Sequence, residues 1–373
     1  MKKILFVSGT RADFGKIKSL VKEVESSKDF DCFIFVTGMH LLDKYGYTIN
    51  EIYKSGFKNI YPYQNQNETK GESMDLTLAN TIKGFARYVK ELRPDLIVVH
   101  GDRLEAMAGA IVGVLNDVLV AHIEGGELSG TVDEVIRHSI SKLAHIHFVS
   151  NSKAYKRLKQ LGEDNSKIYQ IGSPEVDIML SQELPNIDDV KKSYDIFFKD
   201  YSIFIYHPVT TELENIDKNI NFLIDAMVES QKNYVVIYPN NDHGSNNIIS
   251  ALKKIENNPR FRLIPSFKFE SFITLLKNAN FIVGNSSCGV REASILGVCS
   301  INVGTRQNRR NDSKFILNIE ECSSEIHNAL IKDWPRIEPS YDFGEGGSAK
   351  NFIDVISKKE FWKTRFQKNF YDI

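Results

Sequence analysis

The chain has 373 residues, 42% hydrophobic and 25% charged, which is enough material for more than one packed core. Lys and Arg total 47 against 48 Asp and Glu, a net charge of -1 that excludes the basic excess of a general nucleic-acid binder but leaves room for a local anion site. Four scattered cysteines without paired spacing exclude a disulfide framework and a zinc knuckle.

In chain order, short apolar runs come first at Ile4–Val7, Cys32–Val36, Leu96–Val99, Val118–Ile123, Ile146–Val149 and Ile168–Ile171. A second series follows at Ile203–Tyr206, Tyr234–Tyr238, Arg262–Ile264, Phe281–Val283 and Ser300–Val303. Most are continuous rather than alternating, and β-branched residues are frequent, as in strands buried on both faces of a parallel sheet. Helical patterns lie between them, for example Lys16–Ser27 and Leu76–Leu92, so the chain reads as βαβ units of a doubly wound α/β class. Gly172-Ser173-Pro174 and Pro185 mark a hinge near residues 172–185. The expected division is 1–172, 173–357 and a C-terminal helix or tail at 358–373, with helix over Lys350–Ile356 and Glu360–Phe366. The first apolar run is too short for a signal peptide core of ~7–15 residues, and none reaches the ~18 of a membrane span. A cytoplasmic protein with no membrane partner is expected.

Ligands of open parallel sheets sit beyond the carboxyl ends of the strands, so residues there carry the chemistry. The first run is followed by Gly9-Thr10-Arg11-Ala12-Asp13-Phe14-Gly15-Lys16, which fits neither a dinucleotide fingerprint nor a P-loop. It either brings Arg11 and a helix N-terminus near an anion or is an ordinary capped βα turn. Thr37-Gly38-Met39-His40 follows the second run, and His40 reads as structural or solvated. His100-Gly101-Asp102-Arg103 places a carboxylate at a strand end, suited to chemistry or to capping. Next come His122, Glu124 and Glu127, then Asp133-Glu134 and Arg137-His138. There is no HExxH, and His145-Ile146-His147 lies in or beside a strand, so no metal is expected. Crowded carboxylates suit general acid–base work, because crowding separates their pKa values. Solvated helix caps are the alternative.

In the second half, strands end in Tyr206-His207-Pro208 and Tyr238-Pro239-Asn240, which also fit plain turns. Gly284-Asn285-Ser286-Ser287-Cys288-Gly289 leads towards Glu292 and is the strongest phosphate signal, because amides, hydroxyls and a helix dipole converge on an anion. Gly304-Thr305-Arg306-Gln307 ends another strand with a basic residue.

Together, GTRADFGK, TGMH, GDR, HIEGGELSGTVDEVIRH, YHPVT, PNNDHGS, GNSSCGVREA and GTRQ resemble the hydrolysing branch of the UDP-N-acetylglucosamine 2-epimerase family, over nearly the whole chain. The resemblance implies two Rossmann-like doubly wound domains facing across a cleft, the GT-B arrangement. Asp102, Glu124 and Asp133 match the family's catalytic acids. Ser286, Ser287 and Glu292 match diphosphate and ribose contacts. Arg11 and His207 match residues near the diphosphate, with His207 counted among the catalytic groups. Arg103, His122, Arg137, Asn240 and Arg306 match further substrate-binding positions. TGMHLLDKYG and the short TVDE segment depart from the non-hydrolysing branch.

The implied reaction converts UDP-N-acetylglucosamine to UDP and N-acetylmannosamine for sialic-acid-type sugars, through elimination to a glycal and rehydration. It needs no nicotinamide cofactor. The family also suggests a homodimer or larger assembly. The alternatives are the same reaction on UDP- or GDP-linked di-N-acetylbacillosamine, a GT-B glycosyltransferase, or a non-catalytic nucleotide-sugar sensor.

Overall fold

Aliphatic and aromatic runs with no polar face can only be buried from both sides, and the chain uses them to build two parallel sheets. The computed structural model describes residues 1–67, 73–129, 132–240, 242–307, 316–369, 371 and 372. Gly130, Thr131 and Asn241 of the quoted motifs lie outside the described residues.

The first sheet contains β1 (Lys2–Ser8), β2 (Phe30–Val36), β3 (Ile60–Pro62), β4 (Leu96–His100), β5 (Leu119–Ile123), β6 (Ile146–Val149) and β7 (Ile168–Gln170). Their order is β3-β2-β1-β4-β5-β6-β7, every pair parallel. The second contains β8 (Ser202–Ile205), β9 (Tyr234–Ile237), β10 (Phe261–Ile264), β11 (Ile282–Gly284), β12 (Ser300–Val303) and β13 (Ile316–Ile319). Their order is β10-β9-β8-β11-β12-β13, again parallel throughout. Each sheet winds outward from a central strand in both directions, the doubly wound Rossmann-like pattern. Its switch points fall between β1 and β4 and between β8 and β11.

All eleven apolar runs are strands; β3 and β13 are additional. The expected helices are present as Arg11–Ser26, Met74–Leu92 and Ser348–Ile356. Glu360–Phe366 is not a helix: only the 3-10 turn Phe361–Lys363 forms. Trp362 Nε1 donates back to the Ile356 carbonyl at 2.7 Å, and Thr364 Oγ1 donates to the Phe361 carbonyl at 2.7 Å, which closes the turn.

The chain forms two compact units: Met1–Glu127, Asp133–Leu180 and Asp342–Ile373 make the first, and Leu128–Val132 with Ser181–Tyr341 the second. The break at Leu180 falls within the expected hinge, but residues 173–180 and 342–357 belong to the first unit rather than the second. The reason is local packing. Asp177, on helix Pro174–Met179, accepts from the Ser348 and Ala349 amides at 2.9 and 2.8 Å and so caps helix Ser348–Ile356. That helix buries Ala349, Phe352, Val355 and Ile356 in the first core, with the Phe352 ring 4.8 Å from that of Phe148.

The C-terminal segment then crosses the first unit. His145 Nε2 donates to the Phe366 carbonyl at 2.9 Å. Lys368 Nζ donates to the carbonyls of Ala144, Lys142 and Ser141 at 2.7, 2.8 and 3.1 Å, closing the carboxyl end of helix Val132–Leu143. It also pairs with the buried Glu163, which His147 and Lys142 engage as well. Among the described residues, no helix is long and apolar enough to cross a membrane.

Candidate active site

In the first unit the candidate residues gather beyond β4 and β5, beside the switch point. Gly101 turns the chain after β4 with φ 71. This brings Asp102 to the Arg137 guanidinium, which pairs with it through Nη2. Through Nη1, Arg137 donates to the Glu124 carbonyl at 2.7 Å. Arg137 is 2% exposed, while the Asp102 side chain keeps 23%. Burial of an arginine is tolerated here because a carbonyl and a carboxylate meet its Nη1 and Nη2 groups.

Glu124 is buried and sits at φ 62, an uncommon conformation for a residue with a Cβ. Its amide donates to the Phe148 carbonyl at 2.8 Å. One carboxylate oxygen accepts from Ser173 Oγ, and the other lies 3.3 Å from His100 Nε2. His100 Nδ1 is 2.8 Å from Asp13 Oδ1. Burial alone would lower the pKa of His100, but the hydrogen bonds and charges of Asp13 and Glu124 outweigh it and raise it to about 9. His100 was not among the residues expected at the site. Its signal was its place at a strand end directly before Gly-Asp.

His122, expected to bind substrate, is fully buried and bound within the unit. Its Nε2 donates to the Gly101 carbonyl at 2.8 Å, so Nδ1 accepts from Ser141 Oγ at 2.9 Å. Burial pushes its pKa down to about 3. It therefore acts as a neutral strut for the turn carrying Asp102. Asp133 lies half-buried in the first turn of helix Val132–Leu143, four residues before Arg137.

The turn after β1 is a capped one. Thr10 Oγ1 accepts from the Asp13 amide at 3.1 Å, and Asp13 Oδ2 accepts from the Gly9 amide at 3.2 Å, a reciprocal cap. Arg11 forms a two-pronged ion pair with Glu51. Arg103 Nε donates to Glu105 at 3.2 Å. Glu105, also unexpected, is wedged against this turn: a Cβ on Gly9 would lie 2.5 Å from its carboxyl carbon. His40 is buried between Ser8 Oγ at 3.0 Å and Thr48 Oγ1 at 2.8 Å, with its pKa pushed down by burial to about 4. Of the two readings left open by the sequence, structural or solvated, its burial fits the first.

In the second unit, β11 ends at Gly284, with φ 130 and so close to β8 that a Cβ would lie 1.9 Å from the Ile205 carbonyl oxygen. This approach lets Asn285 pair with the backbone of His207: Oδ1 accepts from its amide at 2.7 Å and Nδ2 donates to its carbonyl at 2.8 Å. The Asn240 amide donates to His207 Nδ1 at 3.0 Å, so a neutral His207 ring carries its proton on Nε2. Gln307 Nε2 donates to the Asn285 carbonyl at 2.9 Å, and Arg306 Nη1 lies 3.4 Å from it. Ser286 and Ser287 are half-buried and open the 3-10 turn Ser287–Gly289, which leads to the short helix Glu292–Ile295 with Glu292 buried at its start. The segment thus offers turn amides and hydroxyls rather than the dipole of a long helix.

Asp102, Glu124, Arg137 and His122 are therefore brought together in one unit, and His207, Asn240 and Arg306 around Asn285 in the other. Among the described residues, no three His, Cys, Asp or Glu side chains cluster so as to hold a metal ion.

Comparison with known proteins places the chain in a family. The sequence model of the family described as UDP-N-acetylglucosamine 2-epimerase matches residues 22–357. A UDP-N-acetylglucosamine 2-epimerase of Neisseria meningitidis serogroup B is 44% identical over 378 residues, covering 100% of both chains. The UDP-N,N'-diacetylbacillosamine 2-epimerase (hydrolyzing) of Legionella pneumophila is 34% identical, covering 95% of this chain and 96% of its own. The fold matches that of a solved UDP-GlcNAc 2-epimerase from Methanocaldococcus jannaschii in complex with UDP-GlcNAc and UDP, with a TM-score of 0.79 at 20% identity, covering 96% of this chain and 99% of that one. By the extent and identity of these matches, the chain belongs to the UDP-N-acetylglucosamine 2-epimerase family.

Proposed function

We propose that the protein is a hydrolysing 2-epimerase that converts UDP-N-acetylglucosamine to UDP and N-acetylmannosamine. The observation that carries this reading is the set of carboxylates beyond β4 and β5, with Asp102 against Arg137 and Glu124 against His100. The Neisseria relative's name supports the substrate and the Legionella relative's name supports hydrolysis.

The carbon-2 proton of the sugar is not acidic until the carbon-1 bond to the diphosphate weakens. As that bond breaks, its electron pair leaves with UDP and the ring gains oxocarbenium character. A carboxylate then takes the carbon-2 proton and a glycal forms. Water adds hydroxyl to carbon 1, and a proton returns to the opposite face of carbon 2. Redox state is unchanged. Asp102, Glu124 and Asp133 serve the proton transfers and steady the cation. His207 Nε2–H, the turn at Ser286 and Ser287, and Arg306 meet the charge on UDP. Arg11 joins them only by exchanging Glu51 for the diphosphate.

The test is a proton NMR time course with UDP-N-acetylglucosamine in deuterated water. Free N-acetylmannosamine carrying deuterium at carbon 2 is expected, together with UDP. Asp102→Asn should keep UDP affinity and lose turnover by ~100-fold or more; near-normal turnover removes Asp102 from the chemistry. A second reading, the same reaction on a nucleotide-linked di-N-acetylbacillosamine, is favoured by the Legionella relative's name. Turnover of that substrate alone would establish it.

A further inference from the structure

Glu124 is over-determined. Its amide, its carbonyl and both carboxylate oxygens are all engaged, by Phe148, Arg137, Ser173 and His100. It holds this place at φ 62, a conformation that a side chain keeps only when its surroundings enforce it. His100 links this residue to a second fixed carboxylate, because Asp13 is itself pinned by the Gly9 amide.

A neutral imidazole has one N–H. Both ring nitrogens of His100 face carboxyl groups; with both of these ionised they only accept, so both nitrogens carry hydrogen. The ring is buried, and as an imidazolium it is matched by a carboxylate on either side. We propose that His100 is a positioning residue of the epimerisation: an imidazolium clamped by Asp13 that fixes Glu124 and keeps it ionised. This rests on the reading of Glu124 as one of the catalytic acids. The raised pKa of His100 agrees with it. The charged groups around the ring are Asp13 from helix Arg11–Ser26 and Glu124 after β5; Arg137, from helix Val132–Leu143, reaches the Glu124 carbonyl and Asp102, and His122 beside it stays neutral.

Two substitutions separate positioning from general support. His100→Gln places an amide donor near the former Nε2 and keeps a bond to Glu124 without the charge. His100→Asn keeps a donor only towards Asp13. In the full-length protein, His100→Asn should lower kcat by ~100-fold, the scale of acid–base catalysis. UDP affinity should stay within about twofold, since removing a group felt only at the transition state spares ground-state binding. His100→Gln should recover roughly tenfold of that kcat, with the acidic limb of its pH profile moved upward because Glu124 has lost its cation. Equal loss in both variants with UDP affinity falling in parallel, or near-normal kcat in His100→Asn, overturns the proposal. Absence of turnover by the unmutated protein on either candidate sugar nucleotide would instead defeat the functional reading. The ring is then tested directly by nitrogen-15 NMR of the unmutated protein at pH 8. A protonated His100 is expected, and a neutral one overturns the inference.

Discussion

Three of the five buried imidazoles described in the first unit, His40, His100 and His122, differ in charge state, and each state follows from its partners. His40 and His122 are bonded to hydroxyls and a carbonyl, so burial dominates and depresses their pKa to about 4 and about 3. His100 lies between two carboxylates and is raised to about 9. The consequences for stability have opposite signs. For His40 and His122 the unfolded chain binds protons that the native state refuses. Their stabilisation is complete above the unfolded value near 6.5 and is lost as pH falls, at about 1.4 kcal/mol per pH unit for each ring. His100 contributes fully below its unfolded value and loses its contribution as pH rises through about 9. Urea denaturation at pH 5, 7 and 9.5 should therefore give a maximum near neutrality. A profile flat between pH 5 and 7 would contradict neutral His40 and His122.

Helix Val132–Leu143 is the element on which the chemistry proposed for the first unit depends. It carries Asp133, Arg137 and the Ser141 that bonds His122. Its carboxyl end is closed from a distance by Lys368, whose ammonium meets three carbonyls. Lys368→Met keeps the stem and removes those bonds. It should cost ~1–3 kcal/mol, because the carbonyls and Glu163 lose a charged donor. Amide exchange should speed up at residues 141–145, and kcat should fall more than UDP affinity. Unchanged exchange there would show the tail to be idle.

The elements differ in how far the sequence disclosed them. Strands buried on both faces announced themselves as continuous apolar runs. β3 did not, because it is a partly exposed edge strand of three residues ending in Pro62, and neither did β13, whose Leu317 and Asn318 face solvent. Asp102 and Glu124 stood out at strand ends. His100 did not, because its partners lie 87 and 24 residues away and only the crossovers of the sheet bring them together. His122 also stands at a strand end, but its side chain turns inward to Gly101 and Ser141, partners 21 and 19 residues away.

At the scale of the molecule, one winding pattern is used twice, and each copy gathers its candidate residues near the switch point of its sheet. The copies are not equally self-sufficient. The second unit is almost one continuous stretch, Ser181–Tyr341, whereas the first is completed by residues from beyond it. A chain ending at Tyr341 lacks Ala349, Phe352, Val355, Ile356 and Phe361 of the first core. Limited proteolysis of that chain should spare the second unit and digest the first, and equal resistance of both would show the returning segment to be dispensable. The same interleaving sets a timetable on the ribosome. Multidomain chains usually finish their amino-terminal domain first, but here that unit waits for the segment Asp342–Ile373 to emerge. At roughly 5–20 residues per second the wait is on the order of tens of seconds, with apolar strands already made and their last covering helix still unsynthesised. In the cell, newly made chains of this protein should therefore need chaperone shelter chiefly for their oldest part.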